Sequence, residues 1–517
     1  MNYAWENLHS QDSAMSSLFP DVPRPLCRSG ELRQIERRAF GAGHRDLMER
    51  AGLAAAEIAR EMLADTSKVL VLAGPGNNGG DALVAARHLR AWWYDVTVVF
   101  AGDPARLSPE AAAALAAWRG QGGEVLSGLP SHAGWGLVVD GLFGIGLERD
   151  LAEPYRSLVE RVNSLGAPVL SLDVPSGLDG DTGKVRGMAI RADRTVTFIA
   201  LKPGLLTLDG PDHCGEILLR NLGLEEFLDT PFPGCLLDAG SVRRLLPQRP
   251  RNSHKGSYGS VAVVGGADSM VGAALLAGRA ALRSGAGRVY VGLLGEAPPA
   301  VDFVQPELML RRPEALTELD NLSCAVIGPG LGQTKQALQW LEYWLAKPLP
   351  LVLDADALNL VASHPALMAM LKQREGGSLL TPHPAEAARL SHASAADIQG
   401  DRIQAALDLA GRFHAVAVLK GNGTVVALPD GQWFVNASGN PGLASAGTGD
   451  VLSGMAGAFI AQGLNVPQAA RLAVHLHGAA ADRLLRLGIG PIGMTAMEVA
   501  DAARLLLNEW LAEAPPR

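Results

Sequence analysis

The stretch Gly439-Asn-Pro-Gly-Leu-Ala-Ser-Ala-Gly-Thr-Gly-Asp450 crowds four glycines ahead of an acid, and an apolar run begins at Val451. Backbone N–H groups at the start of a helix gather partial positive charge, and Gly447, Thr448 and Gly449 would offer bare amides to a migrating phosphoryl group. Asp450, in the first helical turn, is placed to accept a hydroxyl proton as that hydroxyl attacks phosphorus. A lone acid there could equally stabilise the helix dipole, but the glycines packed before it favour the phosphate reading. The only Gly-Lys pair, Gly183-Lys184, continues with Val185, so a Walker-type phosphate loop is excluded.

Further segments of the C-terminal half carry matching chemistry. Val418-Leu-Lys-Gly-Asn-Gly-Thr424 reads as strand, tight turn and strand, with Lys420 available to phosphates or simply solvated on a hairpin. Ala325-Val-Ile-Gly-Pro-Gly-Leu-Gly332 is another strand entering a glycine turn, and Leu351-Val-Leu-Asp-Ala-Asp356 ends a buried strand with Asp354 and Asp356. Leu380-Thr-Pro-His-Pro-Ala-Glu386 pins His383 between prolines, a rigid turn that is either structural or a fixed presentation of the imidazole.

The N-terminal half has its own set. Val69-Leu-Val-Leu-Ala-Gly-Pro-Gly-Asn-Asn-Gly-Gly-Asp81 runs a buried strand into a glycine turn. Gly74, Gly76 and Gly79 satisfy GxGxxG, and Asp103 lies where a ribose-binding acid would be sought. A pyrophosphate turn gains little from two Asn and an Asp, so a dehydrogenase is discounted. The oxygens of Asn77, Asn78 and Asp81 suit a polar ligand or a cation. The structural alternative is a helix capped by Asp81, with left-handed angles at the Asn residues. Asp140 and Asp173 each end a strand, Asp140 before the glycines of DGLFGIGL and Asp173 before Ser176 on a turn set by Pro175 and Gly177. Three such loops on one sheet edge point to one site.

The elements that must position these residues are strands alternating with helices. Lys68–Ala73, Asp95–Ala101, Gly136–Asp140 and Ala167–Asp173 read as strands, preceded by a helical stretch from Glu31 to about Leu63 with Leu32, Ile35, Leu47, Leu53 and Ile58 inward. That alternation predicts a parallel sheet with helices on both faces and ligands beyond the strands' carboxyl ends. Around 225–255 the pattern gives way to a Pro-rich connector, and a second α/β alternation runs from Ser260 to about Trp510. With 517 residues, two domains are expected. A net charge of -8 and the lack of basic runs argue against a nucleic-acid partner. Four scattered cysteines without a CxxC argue against a disulfide framework or zinc site. The N-terminal residues lack the pattern of a secretory signal, and Val451–Val466 is short for a membrane span. A cytoplasmic protein is expected.

GPGNNGGD, DGLFGIGL and DVPSGLDGDTG together resemble the NAD(P)H-hydrate epimerase domain, from about Leu26 to Leu228. The resemblance implies substrate contacts at Asn77, Asn78, Gly79, Gly80 and Asp81, along Gly144, Ile145, Gly146, Leu147, Glu148, Arg149 and Asp150, and at Asp173. It also implies a potassium ion held at Asn78, Asp140 and Ser176. Family members often carry Gly where this chain has Ala82. GTGD with KGNGT, GPGLG, DADALN and TPHPAE, and HKGSYG at the entrance, resembles the ADP/ATP-dependent NAD(P)H-hydrate dehydratase, from about Leu236 to Leu507. There the resemblance implies hydrate contacts at Ala273, Gly330, His383 and Asp450. It places the adenine nucleotide at Lys420, Gly421, Asn422, Gly423, Thr424 and Gly449.

The expected fold is an N-terminal Rossmann-like parallel-sheet domain over 22–230 and a ribokinase-like α/β domain over 231–517, after a flexible segment 1–21. The two resemblances meet on one damaged cofactor. The first domain is expected to interconvert R and S hydrates of NADH and NADPH, with Asp173 as acid/base. The second is expected to dehydrate the S form with ADP or ATP and magnesium, Asp450 acting as base. Two other classes stay open: a small-molecule kinase fused to a nucleotide-binding domain, and a non-catalytic nicotinamide-nucleotide sensor. Small-molecule substrates, no nucleic acid, no membrane and a homo-oligomer complete the expectation.

Overall fold

The computed structural model describes residues 24–64, 68–130, 134–228 and 232–513. The chain divides into two compact units between Phe232 and Pro233. The segment 1–21 lies outside the described residues.

The first unit is built on seven strands: β1 (Lys68–Ala73), β2 (Asp95–Phe100), β3 (Val125–Leu126), β4 (Leu137–Gly141), β5 (Val169–Leu172), β6 (Arg194–Phe198) and β7 (Glu216–Arg220). They lie in the order β3-β2-β1-β4-β5-β6-β7 and every pairing is parallel. Strand direction follows from sequence: β1 and β4 are apolar and buried along almost their whole length, as a sheet covered on both faces requires. Strand order reverses between β1 and β4, and the crevice beyond such a reversal is where ligands bind in open sheets. Two helices, Ser29–Gly41 and Leu47–Met62, form where a single helical stretch is expected; the chain breaks at Ala42–Asp46, with Gly43 at φ 102°.

The second unit holds ten strands: β8 (Gly234–Leu237), β9 (Ser260–Gly265), β10 (Arg288–Leu293), β11 (Met309–Arg311), β12 (Cys324–Ile327), β13 (Leu351–Leu353), β14 (Ser378–Leu380), β15 (Val416–Leu419), β16 (Val425–Ala427) and β17 (Trp433–Asn436). Their order is β11-β10-β9-β12-β13-β14-β15-β16-β17-β8, with antiparallel pairing only at β15–β16 and β16–β17. The connector therefore supplies a strand: β8 pairs in parallel with β17 at the sheet edge.

At the core of this unit lies the helix Thr448–Ala461, in which every residue is buried except Gly449 and Asp450. A helix apolar all round belongs inside a protein, which accounts for the long nonpolar run after Val451. Its polar end alone opens outward. Among the described residues no helix is long and apolar enough to cross a membrane, and none of the four cysteines is in a disulfide.

Candidate active sites

The helix Asn77–Ala91 starts at the carboxyl end of β1, with Gly76 as N-cap. Asp81 is consequently in its second turn and caps nothing, and Asn77 and Asn78 are helical rather than left-handed. The helix sits close because Gly74 and Gly79 leave no room: a Cβ at Gly79 would lie 1.9 Å from the carbonyl oxygen of Gly74. Asp103 caps a short 3-10 turn by accepting from Ala105 N. That local role fits the rejection of a dehydrogenase loop.

A cavity of about 1000 Å³ opens along this sheet edge, lined by Asn77, Asn78, Asp81, Gly144, Ile145, Gly146, Leu147, Arg149, Asp150 and Asp173, among others. Gly79, Gly80 and Glu148 are absent from its wall. Gly79 and Gly80 instead make close packing possible, Gly80 against the Met48 side chain. Residues outside the motifs join the wall as well, among them Glu36, from the helix Ser29–Gly41, and Phe198 and Lys202, from the end of β6 and beyond.

Asp173 has a left-handed backbone, φ 63°, an unusual conformation for a residue with a side chain. It is held there by its N–H, which donates to Val196 O at 2.6 Å. Lys202, 2% exposed in its side chain, donates to Asp173 Oδ1, to Thr197 Oγ1 at 2.9 Å and to Phe198 O at 2.7 Å. Burial, reinforced by the charges of Asp173 and Glu36, pushes the Asp81 carboxyl well above the usual carboxylate range. Burial, then the charge of Asp173, raises Glu36 as well.

Behind the wall, Asp140 is buried and accepts hydrogen bonds at both oxygens. Its Oδ1 accepts from Ser176 Oγ at 2.6 Å and its Oδ2 from Ser171 Oγ and Ser176 N, both at 2.9 Å. Ser176 Oγ also accepts from Phe143 N, tying the glycine loop to the DVPSG turn. Burial raises the Asp140 carboxyl against these hydrogen bonds. Asn78 donates through Nδ2 to Leu172 O at 3.1 Å, yet among the described residues its buried Oδ1 has no partner. A buried carbonyl oxygen without a donor is an anomaly that a hard cation would resolve. Asn78, Asp140 and Ser176 are all oxygen donors, so their chemistry fits an alkali ion.

In the second unit, Gly447 is the N-cap of Thr448–Ala461 at φ 86°, a conformation that glycine alone adopts without strain. The Thr448 hydroxyl donates to Leu443 O and Ser445 O, both at 2.9 Å, folding the glycine turn back on itself. Asp450 follows at the helix entrance. Burial, then the charge of Asp354, pushes its carboxyl up to about 7, with Lys420 pulling the other way. Lys420, at the end of β15, donates to Asp354 Oδ1 at 2.9 Å and lies 3.9 Å from Glu386 Oε2. Burial draws Lys420 down, but the carboxylates of Asp354, Glu386 and Asp450 carry it above its ordinary value. Arg402 braces the KGNGT turn from behind, donating to Leu419 O and Lys420 O. Within the turn, the Thr424 hydroxyl donates to Gly421 O at 2.9 Å.

His383 caps the helix Pro384–Ser391: its Nδ1 accepts from Ala385 N and Glu386 N, and its own N–H donates to Glu386 Oε2. The cap fixes the ring and leaves Nε2 on the half-exposed side, 3.3 Å from Glu386 Oε1. Ala273 and Gly330 adjoin, since a Cβ on Gly330 would lie 3.3 Å from that of Ala273. Asp356 bonds Gly332 N at 2.9 Å, joining the DADALN and GPGLG segments.

A family model described as NAD(P)H-hydrate dehydratase matches residues 261–504, and one described as YjeF-related protein N-terminus matches residues 44–204. The bifunctional NAD(P)H-hydrate repair enzyme Nnr of Coxiella burnetii is 41% identical over 492 residues, covering 93% of this chain and 99% of that one. Its Escherichia coli counterpart is 40% identical over 514 residues, 96% of each chain. The chain belongs to the bifunctional NAD(P)H-hydrate repair enzymes. A solved structure, the ADP/ATP-dependent NAD(P)H-hydrate dehydratase from Bacillus subtilis co-crystallised with ATP/Mg2+, is 34% identical, covering 53% of this chain and 98% of that one, with a TM-score of 0.48.

As in any repair enzyme of this family, an epimerase and a dehydratase domain share one chain. Sequence reasoning missed Glu36 and Lys202 in the first unit, and Ser453, which donates to Asp354 Oδ2 at 2.6 Å, in the second. It also missed His477, buried in the helix Val466–Arg486, whose Nε2 has no hydrogen-bond partner among the described residues and whose burial pushes its pKa down to about 4. Lys202 had one available signal: a Lys-Pro-Gly directly after a strand at the ligand edge.

Proposed function

We propose that the first unit epimerises the R and S hydrates of NADH and NADPH at the cavity floored by Asp173 and Lys202. The second unit then dehydrates the S hydrate at the Asp450 helix entrance. The observation that carries the reading is Asp450 itself: a carboxyl near neutrality, directly after bare glycine amides, is matched to taking a hydroxyl proton at physiological pH. The hydroxyl oxygen attacks the terminal phosphoryl of ADP, or of ATP, and AMP or ADP leaves. The new ester then departs as inorganic phosphate while the neighbouring ring carbon loses a proton, restoring the double bond of NAD(P)H. Making the hydroxyl a phosphate ester replaces a poor leaving group with a good one.

Lys420 and the amides of Gly447–Gly449 answer the phosphoryl charge, and the Lys420–Thr424 turn takes the nucleotide with its magnesium. In the first unit Asp173 moves the proton. Potassium, held by Asn78, Asp140 and Ser176, would supply a positive charge beside the substrate phosphates. The expected form is a cytoplasmic homo-oligomer.

Separated hydrates test the reading. Pure R hydrate with potassium and no nucleotide should yield S hydrate well above the spontaneous rate, read by chromatography. Pure S hydrate with magnesium and ADP or ATP should yield NADH and phosphate in equal amounts. Failure of the first leaves a dehydratase alone, and failure of the second returns the kinase and sensor readings.

A further inference from the structure

Asp173 has two oxygens in unlike surroundings. Its Oδ1 takes the ammonium of Lys202 and faces Phe198 N at 3.5 Å. Among the described residues no hydrogen bond ends on Oδ2, which lies against Gly144 on the cavity wall; a Cβ built on Gly144 would come within 3.1 Å of it. Gly144 therefore clears the approach to one oxygen while Lys202 occupies the other.

Lys202 itself is saturated. Its three ammonium donors meet three acceptors, Asp173 Oδ1, Thr197 Oγ1 and Phe198 O, two of them from the end of β6. A lysine with every donor engaged does not bind a phosphate or attack a carbonyl, although it lines the cavity. Its charge also opposes the burial that raises Asp81 and Glu36, at Glu36 together with Arg33. Buried charge of this kind is costly unless its partner is fixed.

We propose that Lys202 is the positioning residue of the epimerisation site: it anchors Oδ1 of Asp173, so that Oδ2 alone, beside Gly144, meets the hydrate. The inference rests on the epimerase reading above and adds to it the residue and the oxygen that act. In the proton step, Oδ2 takes the proton of the hydrate hydroxyl as the adjacent ring C–N bond breaks, its electron pair going to nitrogen and the carbon becoming an aldehyde; when that bond closes again on the other face of the aldehyde, Oδ2 returns the proton to the re-formed hydroxyl. Lys202 exchanges no proton and keeps Oδ1 out of the reaction.

The full-length protein is assayed with R hydrate and potassium, without nucleotide, as K202M and K202A beside the wild type. K202M is expected to lose about 100-fold in kcat with KM for the hydrate nearly unchanged, because binding groups stay in place while the proton step suffers. K202A is expected to regain activity with added ethylammonium but not with ethanol of similar size, since charge rather than filled volume is missing. K202M within threefold of wild-type kcat, a loss confined to KM, or K202A rescued equally by ethanol or not at all by the amine would each overturn the proposal. If K202A does not fold, the kcat and KM of K202M, which fills the same space, decide it. Turnover of S hydrate by the same K202M sample confirms intact protein. A wild type that does not epimerise R hydrate refutes the epimerase reading, separately from the role of Lys202.

Discussion

Lys420 and Asp354 form a 2.9 Å ion pair that ties the end of β15 to the end of β13. The other Asp354 oxygen accepts from Ser453, one turn along the helix that Asp450 opens. Three elements are thereby locked around the helix entrance at Asp450, and the Lys420 ammonium is held where a Cβ on Gly449 would be 3.4 Å from it. The lysine's charge opposes the burial that lifts Asp450. Lys420→Met should therefore raise the Asp450 pKa above about 7 and move the acid limb of the dehydration kcat–pH profile upward. It should also raise the nucleotide KM. An unmoved limb would count against Asp450 as the base.

The same carboxyl bears on stability. An unfolded Asp titrates near 4 and the folded Asp450 at about 7, so the native state binds the extra proton between these values. The raised group favours folding below pH about 4, and that contribution is lost as pH rises through about 7. Asp450→Asn should melt higher than wild type at pH 8, by about 3 °C or more, with a clearly smaller gap at pH 5. Thermal denaturation at the two pH values reads it.

Gly449 separates folding from nucleotide approach. Its Cβ space is bounded by the flexible tip of Lys420 at 3.4 Å rather than by backbone. Gly449→Ala should fold with a near-wild-type melting temperature, yet raise the nucleotide KM about tenfold or more by crowding the amide surface. Gly79→Ala, 1.9 Å from a backbone carbonyl, should instead fail to keep the first unit folded. Melting curves and steady-state kinetics on the two variants check the contrast.

Potassium is tested at Asn78, a residue 8% exposed whose buried Oδ1 has no hydrogen-bond partner among the described residues. Replacing choline by potassium should raise the melting temperature of the wild type and its epimerisation rate. Asn78→Ala should lose both responses while dehydration of S hydrate persists. A potassium response unchanged in Asn78→Ala would move the ion elsewhere.

The legible parts of the chain were those in which one segment carries its own signal. β1 was read to the residue, because five buried apolar positions run straight into Gly74. Gly447, Asp450 and the β15–β16 hairpin around Lys420 were equally plain. Two kinds of feature escaped. β8 is four residues inside a Pro-rich connector, and only its pairing with β17 makes it a strand. Lys202 and Glu36 are distant from Asp173 in sequence and gain meaning from shared burial, which no local spacing encodes. In sequence, the glycines before Asp81 look like a turn and make it a candidate cap. Close packing of Gly74 on Gly79 lets the helix begin at Asn77 instead.

The most direct test of the account is recovery of NADH from a mixture of R and S hydrates by the full-length protein with magnesium, potassium and ADP or ATP, followed by near-ultraviolet absorbance. The account predicts complete, nucleotide-dependent recovery, abolished in Asp450→Ala. In Asp173→Ala the S fraction should recover quickly and the R fraction only at the spontaneous rate. Folded wild-type protein that regenerates no NADH with either nucleotide would contradict it.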